Sequence, residues 1–184
     1  MSKVLNQWVT SPTYDMNETK QIKYLDEHIP YRLTAIDGLC WTCDMLRRPD
    51  SFVEVRMKDT VIKSNTYRLL TNPFLEIGCI FCRVMLEFLG IGFDNNKKRL
   101  VNRSDSQYRA LDVSLKDFVS HRITAATLYD SSLGTPREIE DACIETILVA
   151  HKGVAHLTDE ALPPPDLIKL RLGAETVLLN QGVE

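Results

Sequence analysis

The sequence predicts an all-α protein, a single antiparallel bundle of five or six helices with a long polar loop at about 92–112. Three observations carry this reading. The stretch Asn72–Gly90 is apolar apart from Glu76, Arg83 and Glu87, and a helix apolar on most of its circumference has to be nearly surrounded by others. Two sharp helix-start signatures occur, Asn72-Pro73 and Thr135-Pro136-Arg137-Glu138; each sets a capping side chain before a proline, and the second adds a glutamate at the third position. Leu33, Ile36, Cys40, Cys43 and Leu46 recur at three- and four-residue steps, which places them on one helical stripe. At 184 residues and 44% hydrophobic, the chain can bury roughly 70% of its unfolded surface in one core.

In chain order, residues 1–16 lack periodicity and contain Ser11-Pro12, an extended lead-in. The remaining residues, 17–184, read as one helical domain. Asn17–Glu27 suits a short helix that Pro30 ends. Pro30–Arg48 is the next helix, stopped by Arg47-Arg48-Pro49, with cations at the negative helix end. Ser51–Ser64 is ambiguous. Val53, Val55 and Met57 alternate with charged residues as in a strand. Ser51 with Glu54 makes a capping box, and Val53, Met57 and Val61 have helical spacing; the helix is the expectation adopted. Gly90 and Gly92 end the apolar helix.

Phe93–Arg109 reads as loop. Ser114–Asp117 is a further capping box opening a short helix, and Ser131–Gly134 is a break. The helix from Thr135 runs to about Ala155 with Ile139, Cys143, Ile147, Ala150 and Val154 inward. After the stiff Pro163–Pro165, a last helix spans Asp166–Asn180 with Leu167, Leu170, Ala174 and Val177 inward.

Net charge is −3 and the pI is near 5.8, so the whole molecule does not attract nucleic acid or anionic membrane, although a local patch can. Met1–Thr10 has one lysine and no apolar run of signal-peptide length. The longest apolar segment is too short and too charged for a bilayer span. A cytoplasmic location is the expectation, with five reduced cysteines.

Four groups of residues could carry chemistry. Cys40, Cys43, Cys79 and Cys82 form two CxxC pairs; four thiolates can hold zinc. These pairs sit in apolar helical runs, where cysteine packs as a small hydrophobe. Packing is the reading preferred, with no metal and no cofactor expected. His151 and His156 can serve as general acids or bases, or can pack at a helix end near its dipole. Lys97, Lys98 and Arg99, followed by Arg103 and Arg109 with Tyr108 nearby, suit phosphate contact and base stacking. The alternative for them is a solvated loop diluted by Asp94, Asp105 and Asp112. Arg83 and Glu87 lie four apart on the apolar helix. They either pair to fix packing or place Arg83 in a cleft, facing His156. No P-loop, GxGxxG, HExxH or GxSxG is present.

Cys82–Gly90 and Val154–Thr158, on two helices that together make about a fifth of the chain, resemble the paired motifs of uncharacterised bacterial helical proteins related to the HEPN group. The resemblance implies a helical bundle that self-associates, in a bacterial defence or toxin–antitoxin setting in which many members are RNases. The RNase signature of that group is an Arg followed by His after four to six residues. None of His28, His121, His151 and His156 has an Arg five to seven residues upstream. The expectation is therefore a non-catalytic HEPN-like module, homo-oligomeric, that binds RNA, a nucleotide or a protein partner. A metal-independent ribonuclease using Arg83 and His156 is the second expectation, and a purely structural assembly protein the third.

Overall fold

The apolar run is the spine of the molecule, α3, at Arg68–Phe88. The structure, a computed structural model, describes residues 18–49, 53–108, 112–118, 123–129, 132–151 and 165–180. Before α3 come α1 at Glu18–Lys23, a wide π-helical turn at Tyr24–His28 and α2 at Ile29–Leu46. Later helices are the short α4 at Ala125–Tyr129, α5 at Pro136–Val149 and α6 at Leu167–Leu179. α2 packs along α3 and α6, and α5 along α6 and α3. The core between them holds Ile36 and Leu39 of α2, Met85 and Leu86 of α3, Ile139 and Ile147 of α5, and Leu170 and Val177 of α6.

Two glycines set how closely these helices approach. A Cβ on Gly78 would lie 2.5 Å from Leu39 Cβ on α2. One on Gly173 would lie 2.8 Å from the Ala142 carbonyl oxygen on α5. Only a residue without a side chain fits where backbones come this near. The contact of Trp41 with Phe74 and of Tyr31 with Phe81 makes α2 and α3 antiparallel. Asp44 pairs with Arg171 across α2 and α6.

The fold is mixed α/β, which corrects the all-α expectation. β1 at Val53–Met57 pairs antiparallel with β2 at Thr60–Ser64. β3 at Ile91–Asp94 pairs antiparallel with β4 at Arg99–Asn102. In the first hairpin the alternation of Val53, Val55 and Met57 with charged residues prevails over the helical spacing. Lys58 turns the chain at φ 50°, a left-handed conformation suited to a tight hairpin. Glu54, read as a capping residue, instead pairs with Arg56 along its own strand and with Lys63 across the ribbon; its proposed partner Ser51 lies outside the described residues.

The second hairpin occupies most of the predicted loop. Asp94 Oδ1 accepts from the Asn96 and Lys97 backbone N–H groups at 2.9 and 3.1 Å, and Lys98 sits at φ 52°. Those local bonds fold the polar tip, and they hold the Asp94 carboxyl below the usual carboxylate range, the Lys97 N–H foremost. Leu100 is buried, and its N–H donates to Glu140 Oε1 on α5 at 2.9 Å. With strands of only four residues, no periodic signal stands out from such a tip.

Other boundaries also shift. Pro30 does not end the first helix, because the π turn before it relieves the clash a proline makes with the preceding turn. α3 starts a turn before Asn72, with Pro73 inside it. Among the described residues α3 is also covered on one side only: Phe74, Ile77 and Val84 are exposed. Gly90 ends it as expected, at φ 89°. The Thr135–Glu138 capping box forms as read, and Asp166 caps α6 through bonds from Ile168 and Lys169. Ser114–Asp117 closes a single 3-10 turn, Leu115–Asp117. Val154 and the 1–16 lead-in lie outside the described residues. Among the described residues no helix is long and apolar enough to cross a membrane.

Candidate functional site

Beyond α3 the chain turns at Gly90, runs through β3–β4 and returns toward α3. Arg103 follows β4 directly, and its N–H donates to the Gly90 carbonyl at 2.8 Å. Ser104 and Gln107 then form a capping box around a 3-10 turn at Asp105–Gln107. That local fold aims the Arg103 side chain back at the last turn of α3.

Arg103 is the hub. Its Nη1 donates to Glu87 Oε2 at 3.4 Å and its Nη2 to the Gln107 carbonyl at 2.8 Å. Asp112 lies 4.0 Å away, and the guanidinium carbon stands 4.5 Å from the Tyr108 ring centroid. The side chain is only 15% exposed. The other Glu87 oxygen accepts from Arg83 Nε at 2.9 Å, so one carboxylate links two arginines. That arrangement compensates buried or half-buried charge on both sides.

This cluster walls a groove of about 730 Å³ between the end of α3, the β3–β4 hairpin and the end of α5. Arg83, Glu87, Arg103, Gln107 and His151 all line it. A smaller cleft of about 240 Å³ lies on the other side of Glu87 and Arg103, lined also by Arg32, Val84, Tyr108 and Asp112.

Three of the four residues singled out as candidate catalysts, Arg83, Glu87 and His151, therefore meet in one groove. The fourth, His156, lies outside the described residues, as does Arg109. The basic group divides. Lys97 and Lys98 stay on the exposed hairpin tip, 3.7 Å from Asp94 Oδ2 and 2.7 Å from Asn95 Oδ1 respectively. Arg99 turns toward α5, with Nε 4.0 Å from Glu140 Oε1. Arg103 and Tyr108 leave the tip for the cluster, where the Lys116 ammonium also stands 4.5 Å from the Tyr108 ring. Asn95 joins the two regions, since it belongs to the tip and lines the groove.

The cysteines are core residues. Cys43, Cys79, Cys82 and Cys143 are buried and Cys40 is half-buried, all as free thiols. Burial raises the Cys40 pKa to about 11 and those of Cys43 and Cys143 to about 12, and pushes Cys79 and Cys82 well above the usual thiol range. Among the described residues no group of three or more His, Cys, Asp or Glu side chains is arranged to hold a metal ion.

Sequence reasoning missed Gln107 and Arg32 as parts of the site. The Ser104–Gln107 capping box was the available signal for Gln107, since it has the same spacing as the boxes read at 114 and 135. Arg32 reaches the cleft only because α2 packs on α3, which no local pattern reveals. No family model, curated protein or solved structure matches this chain.

Proposed function

We propose that the protein is a non-catalytic, self-associating helical module, HEPN-like in kind, that binds a phosphate-bearing ligand, an RNA strand or a nucleotide, in the groove beside β3–β4. One observation carries the reading: Arg83, Arg103 and His151 line the same groove together with Asn95 of the hairpin tip, whose Oδ1 accepts from the exposed Lys98 ammonium at 2.7 Å. Guanidinium groups held in place by neighbours suit phosphate oxygens, because their fork of donors is already oriented. Two features support binding without turnover. Both oxygens of Glu87 accept from arginines, so that carboxylate serves as a clamp rather than a base. The arginine–histidine spacing of the ribonucleases is also missing.

The test is fluorescence anisotropy with a labelled single-stranded RNA of roughly 12 nucleotides, within the usual range for single-strand sites. Lys97→Glu with Lys98→Glu should weaken binding and flatten its salt dependence by about 1.4 in log–log slope. Arg103→Ala should weaken binding of a mononucleotide as well. No binding of either ligand at low salt would end the proposal.

A second reading, a metal-independent ribonuclease, is favoured by the shared lining of Arg83 and His151. It predicts that wild-type protein cleaves RNA in the presence of a chelator and that His151→Ala stops cleavage with RNA affinity unchanged. Intact RNA after long incubation with wild-type protein removes it.

A further inference from the structure

The outer face of the α2–α3 pair carries a stripe of large apolar side chains that no other described residue covers. Tyr31 and Trp41 come from α2, and Phe74, Ile77 and Val84 from α3; they are between 37% and 63% exposed. The rings interlock in pairs, Trp41 edge-on to Phe74 at 6.0 Å and Tyr31 edge-on to Phe81 at 5.5 Å between centroids. Such pairs hold the surface in one shape before any partner arrives.

We infer that this face docks against the same face of a second copy of the chain, giving a twofold dimer. The inference rests on the reading of the protein as a self-associating module, and it names the surface. Three things point to a second copy. The first is area. Aromatic side chains carry about 150–250 Å² each, so five large residues left roughly half exposed offer on the order of 400 Å². A standard interface buries about 800 Å² per partner and is about 65% apolar in homodimers, which calls for roughly 500 Å² of apolar surface. The stripe supplies most of that.

The second is layout. Phe74, Ile77, Phe81 and Val84 follow three-four-three spacing on α3, and positions 31, 34, 38 and 41 follow the same spacing on α2. Both are the seam spacing by which helices pack side by side. On an antiparallel pair the two seams are related by an approximate twofold, so the face suits an isologous contact with itself.

The third is charge. Asp37 and Glu76 are exposed on these same two helices and Arg32 stands over the Phe81 ring, so the face carries charges of both signs around its apolar centre, as the rim of a protein contact does. A second copy would also complete the enclosure that the composition of α3 demands. Because Val84 belongs to both the stripe and the smaller cleft beside Arg32, Glu87 and Arg103, each copy would border its partner's cleft.

Light scattering on the purified full chain over a wide concentration range tests this. The chain mass is 21.0 kDa. Wild type should show twice the chain mass, and Trp41→Glu with Phe74→Glu should show the chain mass with an unchanged helical circular-dichroism signal. Ile168→Glu, at an exposed apolar residue of α6, should keep the doubled mass. If the α2–α3 variant stays dimeric, the face is wrong while self-association stands. If wild type has the chain mass at every concentration, both fall. Should the double variant unfold, Tyr31→Lys alone must still raise the dissociation constant at least tenfold, and an unchanged constant overturns the assignment.

Discussion

Arg103 and Glu87 join β4 to the end of α3 through a 3.4 Å ion pair, and the same carboxylate holds Arg83 at 2.9 Å. Glu87 is thus the bridge between a helix-borne cation and one delivered by the hairpin. Arg83 and Glu87 alone, 36% and 38% exposed, would contribute little, as surface pairs do. Arg103 is more enclosed and also binds the Gln107 carbonyl. Arg103→Ala should cost about 1–2 kcal/mol, lowering the unfolding midpoint by roughly 3–6 °C for a chain of this size. Arg103→Lys should recover less than half, because it keeps the charge and loses the fork. Differential scanning calorimetry checks the order.

The glycines should divide by what faces them. Gly78→Ala drives a Cβ into Leu39 Cβ, and Gly173→Ala into the Ala142 carbonyl and Thr146. Each should destabilise by about 1–3 kcal/mol through overpacking. Gly38→Ala meets only the Phe74 ring at 3.2 Å, and that ring lies at the surface. The gain in helix propensity, up to about 1 kcal/mol, should leave it neutral or stabilising. Urea midpoints of the three variants settle the ranking.

The thiols predict both a reactivity pattern and a pH effect. Of five cysteines, Cys40 should be modified first by a thiol reagent in native protein, and slowly, since its pKa is raised to about 11; the rest should react on unfolding. Burial raises the pKa of Cys143 from an ordinary 9.0 to about 12. The folded state therefore holds that proton more tightly, and the stability this provides is full below pH 9 and lost as pH rises toward 12. The stability gap between wild type and Cys143→Ala should accordingly narrow above pH 9. A gap that widens with pH would contradict the buried assignment.

Thr135→Ala should remove the cap of α5, where Thr135 Oγ1 accepts from the Glu138 N–H at 3.3 Å and Glu138 Oε2 accepts from the Thr135 hydroxyl at 2.7 Å. The expected cost is about 1 kcal/mol. The Thr135 hydroxyl and N–H hold the Glu138 carboxyl below its usual range of 4.5. That contribution is present above pH 4.5 and disappears as pH falls. The penalty of Thr135→Ala in denaturant titrations should therefore be smaller at pH 3 than at pH 7.

By itself the sequence determined what depends on neighbours along the chain. The caps at Thr135 and Asp166, the stop at Gly90 and the buried stripes of α5 and α6 all follow from side-chain chemistry within one or two turns. Local rules also made Arg83 and Glu87 conspicuous, because charges on an apolar helix need partners. One choice was close locally and went to the strand side, alternation against capping at 53–64, whereas the β3–β4 hairpin, folded at its tip by the Asp94-led turn bonds, replaces a stretch that reads as plain loop. Tertiary structure alone decided the rest. Among the described residues it left one face of α3 uncovered, gathered Arg83, Glu87 and His151 into one groove, and moved Arg103 from the basic tip to the Glu87 cluster. The physical reason is distance along the chain. Arg103 meets Glu87 across sixteen residues, and the Glu140 bond that anchors β4 spans forty. Contacts of that reach are set by how helices and hairpins pack, and no periodicity within a single element encodes them.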